Sequence, residues 1–293
     1  MKIIPCPLCG AKEYNELYHF TEKKPPFMMV DCADCKLTYM NPRPTNKEIR
    51  AYYTDEGYFS GEADYSYKDE REDEVSLWIL SDSILKSIER KCEIGKMLDI
   101  GCSFGNFLFR AGYRGWQTYG VDVSPEAIDW IKHNSRIDGF CGEVEHAPLE
   151  VESFDCITMF ETIEHLTDPL KTVKHCYKLL KKNGLLVIQT GNINSLYAKI
   201  TGRNNNYFLP GHLVYFSERT LKRLLEEAGF KGGYVYAGDN ISYFARMAYI
   251  FSTNTIKWRH VPFQWLKWTA FYMMRAIVRN RPVLGSITIY ARK

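Results

Sequence analysis

The chain of 293 residues is 45% hydrophobic and 25% charged, the balance of a soluble globular protein with room for one large domain or two ordinary ones. That composition excludes wholesale disorder, a collagenous repeat and a disulfide scaffold, because a chain of this length buries a core without staples. The net charge of +3 conceals an asymmetry: Asn240 to Lys293 carries nine Lys or Arg and no acid, leaving 29 basic against 35 acidic side chains elsewhere, so an anionic partner is expected at the C-terminal end.

Residues 1–44 read as a small module rich in Cys and Pro. Cys6 and Cys9, then Cys32 and Cys35, are two Cys-x2-Cys knuckles separated by 22 residues. A knuckle sets two thiolates about 3.5–4 Å apart, and two knuckles supply the tetrahedral set that zinc prefers. An iron–sulfur cluster is the alternative occupant. A closed four-thiolate site leaves no position for substrate, so the metal is expected to be structural, ordering the N-terminus and shaping the entrance to the functional site. The other cysteines (Cys92, Cys102, Cys141, Cys156 and Cys176) are scattered and make the total odd. That argues for a reducing, cytoplasmic compartment. MKIIPCPLCG lacks an apolar run of signal-peptide length, and no stretch is long and apolar enough for a spanning helix.

Thr45 is placed to cap a helix over Lys47 to Tyr53, and 71–92 reads as a longer amphipathic helix. The charge run Asp69 to Glu74 reads as its solvated first turn. From residue 96 strands and helices alternate. Met97–Ile100 is a short buried strand, Asn106–Gly115 a helix, and Tyr119–Val123 a second strand. Ser124-Pro125-Glu126 then starts a helix with an N-cap and Pro at the first helical position. Phe154–Phe160 and Leu185–Thr190 are apolar and strand-like; between them a helix over Pro169–Lys182 closes on Asn183-Gly184. A helix over Glu218–Ala228 capped by Ser217 follows, then strand-like segments at Tyr234–Ala237 and Ser286–Ala291. This alternation predicts an α/β fold built on a doubly wound, mostly parallel sheet.

The strand Met97-Leu98-Asp99-Ile100 runs into Gly101-Cys102-Ser103-Phe104-Gly105-Asn106, which opens a helix. Gly101 and Gly105 permit the tight turn and close approach of a ligand. Asp122 follows 21 residues after Gly101, at the end of the second strand, where a carboxylate can accept both hydroxyls of a ribose. Ser103 stands where a dinucleotide fingerprint has its middle glycine, which favours a nucleoside ligand without a pyrophosphate.

MLDIGCSFGNF followed by YGVDVS resembles the first two motifs of the class I S-adenosylmethionine-dependent methyltransferases. The resemblance continues through CGEVEHAPLEVESFDCITMFETIEHLTDP, LKKNGLLVIQTGN and PGHLVYFSERTLKRLLEEAGF, and covers about residues 45–236 plus the terminal SITIYARK. The N-terminal cysteines followed by NPRPT and a Tyr-rich helix resemble, more loosely, bacterial methyltransferases of sugars and other small metabolites. The resemblance implies a Rossmann-like seven-stranded doubly wound sheet, a small N-terminal zinc ribbon, and S-adenosyl-L-methionine as cofactor. It implies that Asp99 helps hold the methionine amino end and that Gly101, Cys102, Ser103 and Gly105 pass beneath the cofactor. Asp122, with Val123 beside it, would take the ribose. Glu143 would sit near the adenine, although the family more often has Asp there. Phe160 and Glu161 would line the methionine side, and Tyr53 and Tyr58 would close over it.

Methyl transfer is an in-line displacement on a sulfonium, so a protein positions the acceptor and removes its proton. The proton acceptor should lie beyond the carboxyl ends of the strands. His165, four residues after Glu161, and His212, in Pro210-Gly211-His212-Leu213, are the candidates. Glu164 adjoins His165 and reads as a cap for the following turn. The other histidines are scattered and read as surface or core residues.

In the tail, eleven aromatic residues interleave with the nine cations. Over 265–279 a helical wheel gathers Lys267, Arg275 and Arg279 on one arc, largely opposite Leu266, Ala270, Met273, Met274 and Ile277. Three readings stand open: a cover for the sheet or a dimer face, an RNA-binding surface with stacking aromatics, or a peripheral contact with the inner membrane surface and a lipid-linked substrate. The expected division is a zinc ribbon over 1–44, a methyltransferase core over 45–239, and a basic aromatic segment over 240–293 that ends in the last core strand. The expected activity is methylation, first at oxygen, of a small metabolite or sugar, free or lipid-linked. An RNA methyltransferase and a cofactor-binding scaffold without catalysis are the alternatives. Nucleic acid is disfavoured by the acidic main body, and oligomerisation stays open.

Overall fold

β1 (Tyr14–Phe20), β2 (Phe27–Cys32) and β3 (Thr38–Met40) form an antiparallel meander in the computed structural model of the chain. The structure describes residues 1–54, 74–135, 137–231, 235–237 and 285–293, with Leu266, Thr269, Ala270 and Met273. The cysteine knuckles lie at one end of the meander. The main-chain amide of Cys32 donates to Leu37 and that of Cys6 to Ala11, folding each knuckle back on the chain that follows it.

Helix α1 (Asn46–Thr54) begins where Thr45 and Glu48 exchange hydrogen bonds, the Thr45 amide donating to Glu48 Oε2 at 2.7 Å. Helix α2 (Glu74–Glu89) packs on α3 (Asn106–Tyr113), and Arg110 bridges them by donating two hydrogen bonds to Asp82. The expected charge cluster lies outside the described residues except for Glu74.

The strands that follow are β4 (Lys96–Ile100), β5 (Gln117–Asp122), β6 (Asp138–Cys141), β7 (Phe154–Phe160) and β8 (Leu180–Gly191), all parallel, joined through α3, α4 (Pro125–Asn134) and α5 (Pro169–Leu179). Short α6 (Leu196–Thr201), β9 (Val214–Tyr215), α7 (Glu218–Glu227), β10 (Val235–Ala237) and β11 (Ser286–Arg292) complete the chain. The main sheet has seven strands in the order β10-β11-β8-β7-β4-β5-β6, with β11 antiparallel to both its neighbours. This is the expected doubly wound Rossmann-like sheet. Strands β4 and β8 are buried on both faces, as parallel strands covered by helices must be.

Two local expectations change. Helix α5 stops at Leu179 instead of running to Lys182, and the chain passes directly into β8. Its last carbonyls are taken by tertiary partners, since the amides of Glu152 and Ser153 donate to Lys178 and Leu179. Leu180 then pairs with Phe154 in the sheet, and Asn183, at φ +66°, turns within the strand rather than after a helix.

The second change concerns the N-terminal sheet, which takes its fourth strand, β9, from the far side of the chain: Thr38 faces Tyr215 and Tyr39 faces Val214. Met29, Leu37, Tyr39 and Met40 are buried in the same hydrophobic cluster as Phe208, Tyr215 and Phe216. Arg43 donates from its guanidinium to the Thr167 carbonyl at 2.7 Å. The module is therefore sewn onto the loops at the carboxyl edge of the main sheet. The amphipathic helix expected over 265–279 lies largely outside the described residues.

Candidate active site

Strand β4 has β5 on one side and β7 on the other, so the connections leaving it diverge to opposite faces and open a crevice at their carboxyl ends. Gly101, at φ +75°, makes the turn out of β4, and a Cβ built there would lie 2.3 Å from Thr162 Oγ1. Only glycine fits both the angle and the space. Ser103 at φ +48° and Glu161 at φ +49° are non-glycine residues in the left-handed region, and both face the crevice. Such strained backbone concentrates at functional sites.

Asp122, at the end of β5, ties the loop down. Its Oδ2 accepts from the Ser103 amide at 2.9 Å and its Oδ1 from the Ser124 amide at 2.8 Å. Burial raises its pKa, and these amides oppose the rise. The cleft over this loop has a volume of about 440 Å³. Gly101, Ser103, Asp122 and Val123 line one wall. Glu143 lines the far end, and Phe160 and Glu161 the side above β7. His165 and His212 also border the cleft, although 46 residues separate the bonded atoms of His165 and Gly211.

The remaining sequence candidates lie elsewhere. Asp99 is buried behind the loop and accepts a 2.6 Å hydrogen bond from Thr158 Oγ1. Cys102 is buried against Gly120 on the side away from the cleft, and Gly105, at φ +78°, packs on Ile131. Tyr53 belongs to α1, with its side chain outside the described set; Tyr58 lies outside the described residues.

Glu164 is not a cap, because the N-cap of α5 is Asp168, whose side chain accepts from the Lys171 amide. Glu164 is instead fully buried and accepts from Tyr207 Oη at 2.6 Å and Thr190 Oγ1 at 2.9 Å. Burial pushes its carboxyl up. Glu161 is exposed at the cleft, where the surrounding protein's desolvation, then the neighbouring Glu164 carboxyl, pushes it up to about 8. His165 donates from Nδ1 to the Gly211 carbonyl at 3.0 Å, and His212 from Nδ1 to the Tyr207 carbonyl at 2.7 Å. A carbonyl cannot donate, so each ring holds its proton on Nδ1 and presents Nε2 as the basic nitrogen. Burial lowers His165 to about 4 and His212 well below its usual range, so both rings are neutral. Their planes meet edge to face, with centroids 4.7 Å apart.

Sequence reasoning missed Thr162, Thr190 and Tyr207. The first excludes any side chain at position 101, and the other two orient Glu164. Tyr207 carried no signal, since it follows the polar run Arg203-Asn204-Asn205-Asn206 in a connecting loop. Asn46 and Ile49 of α1 also border the cleft; the periodicity of α1 gave the helix but not the surface it faces.

A family profile described as a methyltransferase domain matches residues 71–233, more than half of the chain. A ubiquinone biosynthesis O-methyltransferase of Coxiella burnetii is 30% identical over 167 residues, covering 50% of this chain and 71% of that protein. A protein of the same name from Aliivibrio fischeri is 26% identical over 158 residues, 47% of this chain and 66% of that one. Among solved structures, a SAM-dependent methyltransferase from Archaeoglobus fulgidus aligns with a TM-score of 0.51 at 21% identity, covering 74% of this chain and 94% of that one. The phosphoethanolamine N-methyltransferase 2 of Haemonchus contortus, in complex with S-adenosylhomocysteine, aligns with a TM-score of 0.53 at 17% identity, covering 87% and 62%. At such identities the structural likeness speaks for the fold.

Proposed function

The chain belongs to the class I S-adenosylmethionine-dependent methyltransferases, and from that membership we propose that it methylates a hydroxyl oxygen of a small, lipid-linked metabolite. The observation that carries this reading is the meeting, in one cleft, of the strained glycine loop and Asp122 with a pair of neutral histidines. One wall suits a nucleoside; the other suits an acceptor that must lose a proton.

The residues present fit the cofactor. The absence of a Cβ at Gly101 keeps the backbone turned tightly beneath the cleft, and the Asp122 carboxylate retains acceptor capacity beyond the main-chain amides it holds, for ribose hydroxyls. Val123 and Glu143 would border the base, and Phe160 and Glu161 the methionine side. Asp99 would act from behind the loop. Tyr53 and Tyr58 are proposed as the cover. S-adenosylmethionine supplies an electrophilic methyl group on a sulfonium. The protein's part is to hold the acceptor in line and to take its proton on Nε2 of His165 or His212.

The four cysteines fit zinc. Sγ of Cys6 lies 3.5 Å from that of Cys35, Sγ of Cys9 lies 3.5 Å from that of Cys32, and all four sulfurs fall within 4.8 Å of one another. A tetrahedron with bonds of about 2.3 Å has sulfur–sulfur edges of about 3.8 Å. We assign zinc there a structural role in the ribbon over 1–44, with the core over 45–239 and the basic aromatic segment over 240–293.

The curated relatives named for ubiquinone biosynthesis favour a lipid-linked acceptor. The cationic, Trp-bearing segment 240–293 favours contact with an anionic membrane surface from the cytoplasmic side. Among the described residues no helix is long and apolar enough to cross a membrane. Incubation with methyl-labelled cofactor and a whole-cell extract, followed by solvent partition, tests the reading. Label is expected in the organic phase, in a base-stable ether. Label confined to the aqueous phase removes the lipid linkage, and no transfer at all removes catalysis. For the pocket itself, Asp122→Ala is expected to weaken S-adenosylhomocysteine binding about 10- to 100-fold, the weight of a charge-assisted hydrogen bond. Calorimetry checks it, and unchanged affinity would place the nucleoside elsewhere.

A further inference from the structure

The hydroxyl of Tyr39, a fully buried residue of β3, has no hydrogen-bond partner among the described residues. We propose that this hydroxyl donates to a metal-bound thiolate of the N-terminal module, making Tyr39 a positioning residue that retains the ion and couples it to β9; this rests on the assignment of zinc to the four cysteines.

Four observations carry it. The first is the orphaned atom. A phenol shut away from water without a partner costs free energy comparable to a lost hydrogen bond, so a buried tyrosine ordinarily finds an acceptor. Tyr39 packs in the same hydrophobic cluster as Cys6, Cys32 and Cys35 and pairs with Val30 in the sheet. Phenylalanine would serve that packing equally, so packing alone does not account for the hydroxyl.

The second is placement. Burial, then charge on Cys6, Cys32, Tyr14 and Cys35, holds the phenol above its usual range. Three of those four groups are the expected metal ligands, and the fourth, Tyr14, pairs with Cys32 across β1 and β2. The hydroxyl is thus within electrostatic reach of the sulfur cluster.

The third is the chemistry of the sulfurs. As neutral thiols they satisfy one another, Cys6 with Cys35 and Cys9 with Cys32, each pair at 3.5 Å, and a neutral thiol is a weak acceptor. Coordination of a divalent ion removes the thiol protons, and four thiolates leave two negative charges in excess. Main-chain amides face part of that charge: those of Leu8 and Cys9 toward Cys6, of Asp34 and Cys35 toward Cys32, and of Leu37 toward Cys35. All of these belong to the two knuckle loops. Tyr39 brings a donor from the sheet, and hydrogen bonds to an ionised acceptor are the strong ones. Such outer-shell donors orient metal ligands and strengthen retention of the ion.

The fourth is the connection onward. Tyr39 pairs with Val214 on β9, and the amide of Met40, the next residue, donates to the Leu213 carbonyl at 2.9 Å. A hydroxyl tied to a metal-bound sulfur therefore fixes β3 against the two residues that follow His212.

The test uses the full chain loaded with zinc, and Tyr39→Phe, which keeps the ring and removes only the hydroxyl. Zinc transfer to a chromogenic chelator is expected to show about 10-fold weaker retention in the variant. Stripped of zinc, the variant should unfold at a denaturant midpoint equal to or above that of the stripped wild type, because an unsatisfied hydroxyl has been removed. In the cobalt-substituted proteins the thiolate-to-metal charge-transfer band should move to longer wavelength in the variant, since a hydrogen bond to sulfur lowers the energy of its lone pairs. Equal zinc retention with an unmoved band would overturn the proposal and leave the zinc assignment standing. An equal loss of stability with and without zinc would show a packing role alone and overturn it as well. A wild-type chain that binds S-adenosylhomocysteine but takes up neither zinc nor cobalt would overturn the zinc assignment on which the proposal stands.

Discussion

Cys35→Ser is expected to release the zinc and to lower methyl transfer, although the nearest catalytic candidate belongs to another part of the chain. The connection is covalent and then hydrogen-bonded. Cys35 is followed within three residues by β3, which pairs with β9. The Met40 amide donates to Leu213 O at 2.9 Å, and the Leu213 amide donates to Glu164 O at 2.8 Å. His212 is thus held between the N-terminal sheet and the turn that carries His165. In small zinc modules the metal supplies on the order of 10 kcal/mol of folding free energy. Losing one of four ligands should therefore remove several kcal/mol locally and lower Tm by roughly 10 °C. Turnover should fall on the order of 100-fold, as for other ångström-scale misplacements of catalytic groups. Metal analysis, amide exchange across β3 and β9, and kcat on the same preparation check it. Wild-type kcat in a chain shown to be zinc-free would separate the module from the chemistry. A chelator that strips zinc from the wild-type protein should reproduce the substitution, and restored zinc should reverse it.

Gly101→Ala is the second large effect expected. The added methyl would meet Thr162 at 2.3 Å from Oγ1 and 2.6 Å from Cγ2, on a backbone at φ +75°. The left-handed conformation costs an L-residue roughly 1–2 kcal/mol, and overpacking a tight contact costs about 1–3 kcal/mol more. The loop answers by moving, which draws Ser103 away from Asp122 and opens the cleft floor. A stability loss of about 3 kcal/mol by denaturant unfolding and at least a 100-fold loss of S-adenosylhomocysteine affinity are expected. Thr162→Ala in the same chain should return part of the stability, because the clash is relieved, but not all, because φ is unchanged. Full recovery in the double variant would show that backbone conformation at 101 contributes nothing.

Much of the architecture was legible because its causes are local. Ser124 with Pro125, and Ser217, stand in the structure as the caps the sequence announces, and Thr220 completes a capping box with Ser217. The strand, glycine loop and strand-end acid fall in register because β4 and β5 pair directly, Ile100 beside Val121. Helix α5 was overextended because what ends it is not in its own sequence: the chain entering β7 takes its last carbonyls.

The candidate site divides the same way. Gly101, Ser103 and Asp122 could be singled out because a tight turn and an acid at a fixed spacing depend on neighbours in the chain. Glu164 could not be assigned, because its role depends on Thr190 and Tyr207, 26 and 43 residues away. Hydrophobic periodicity, capping and turn chemistry thus announce the order of elements and the glycine loop, which follow from residues a few positions apart. The alternation of elements implies the doubly wound sheet, whose own pairings, such as Met97 with Cys156, are long-range. Only the tertiary structure decides that the cysteine module borrows a strand from residues 214–215 and that two histidines and a buried glutamate converge. Those arrangements arise from long-range pairing and from the desolvation of charge, and neither leaves a periodic trace in the chain.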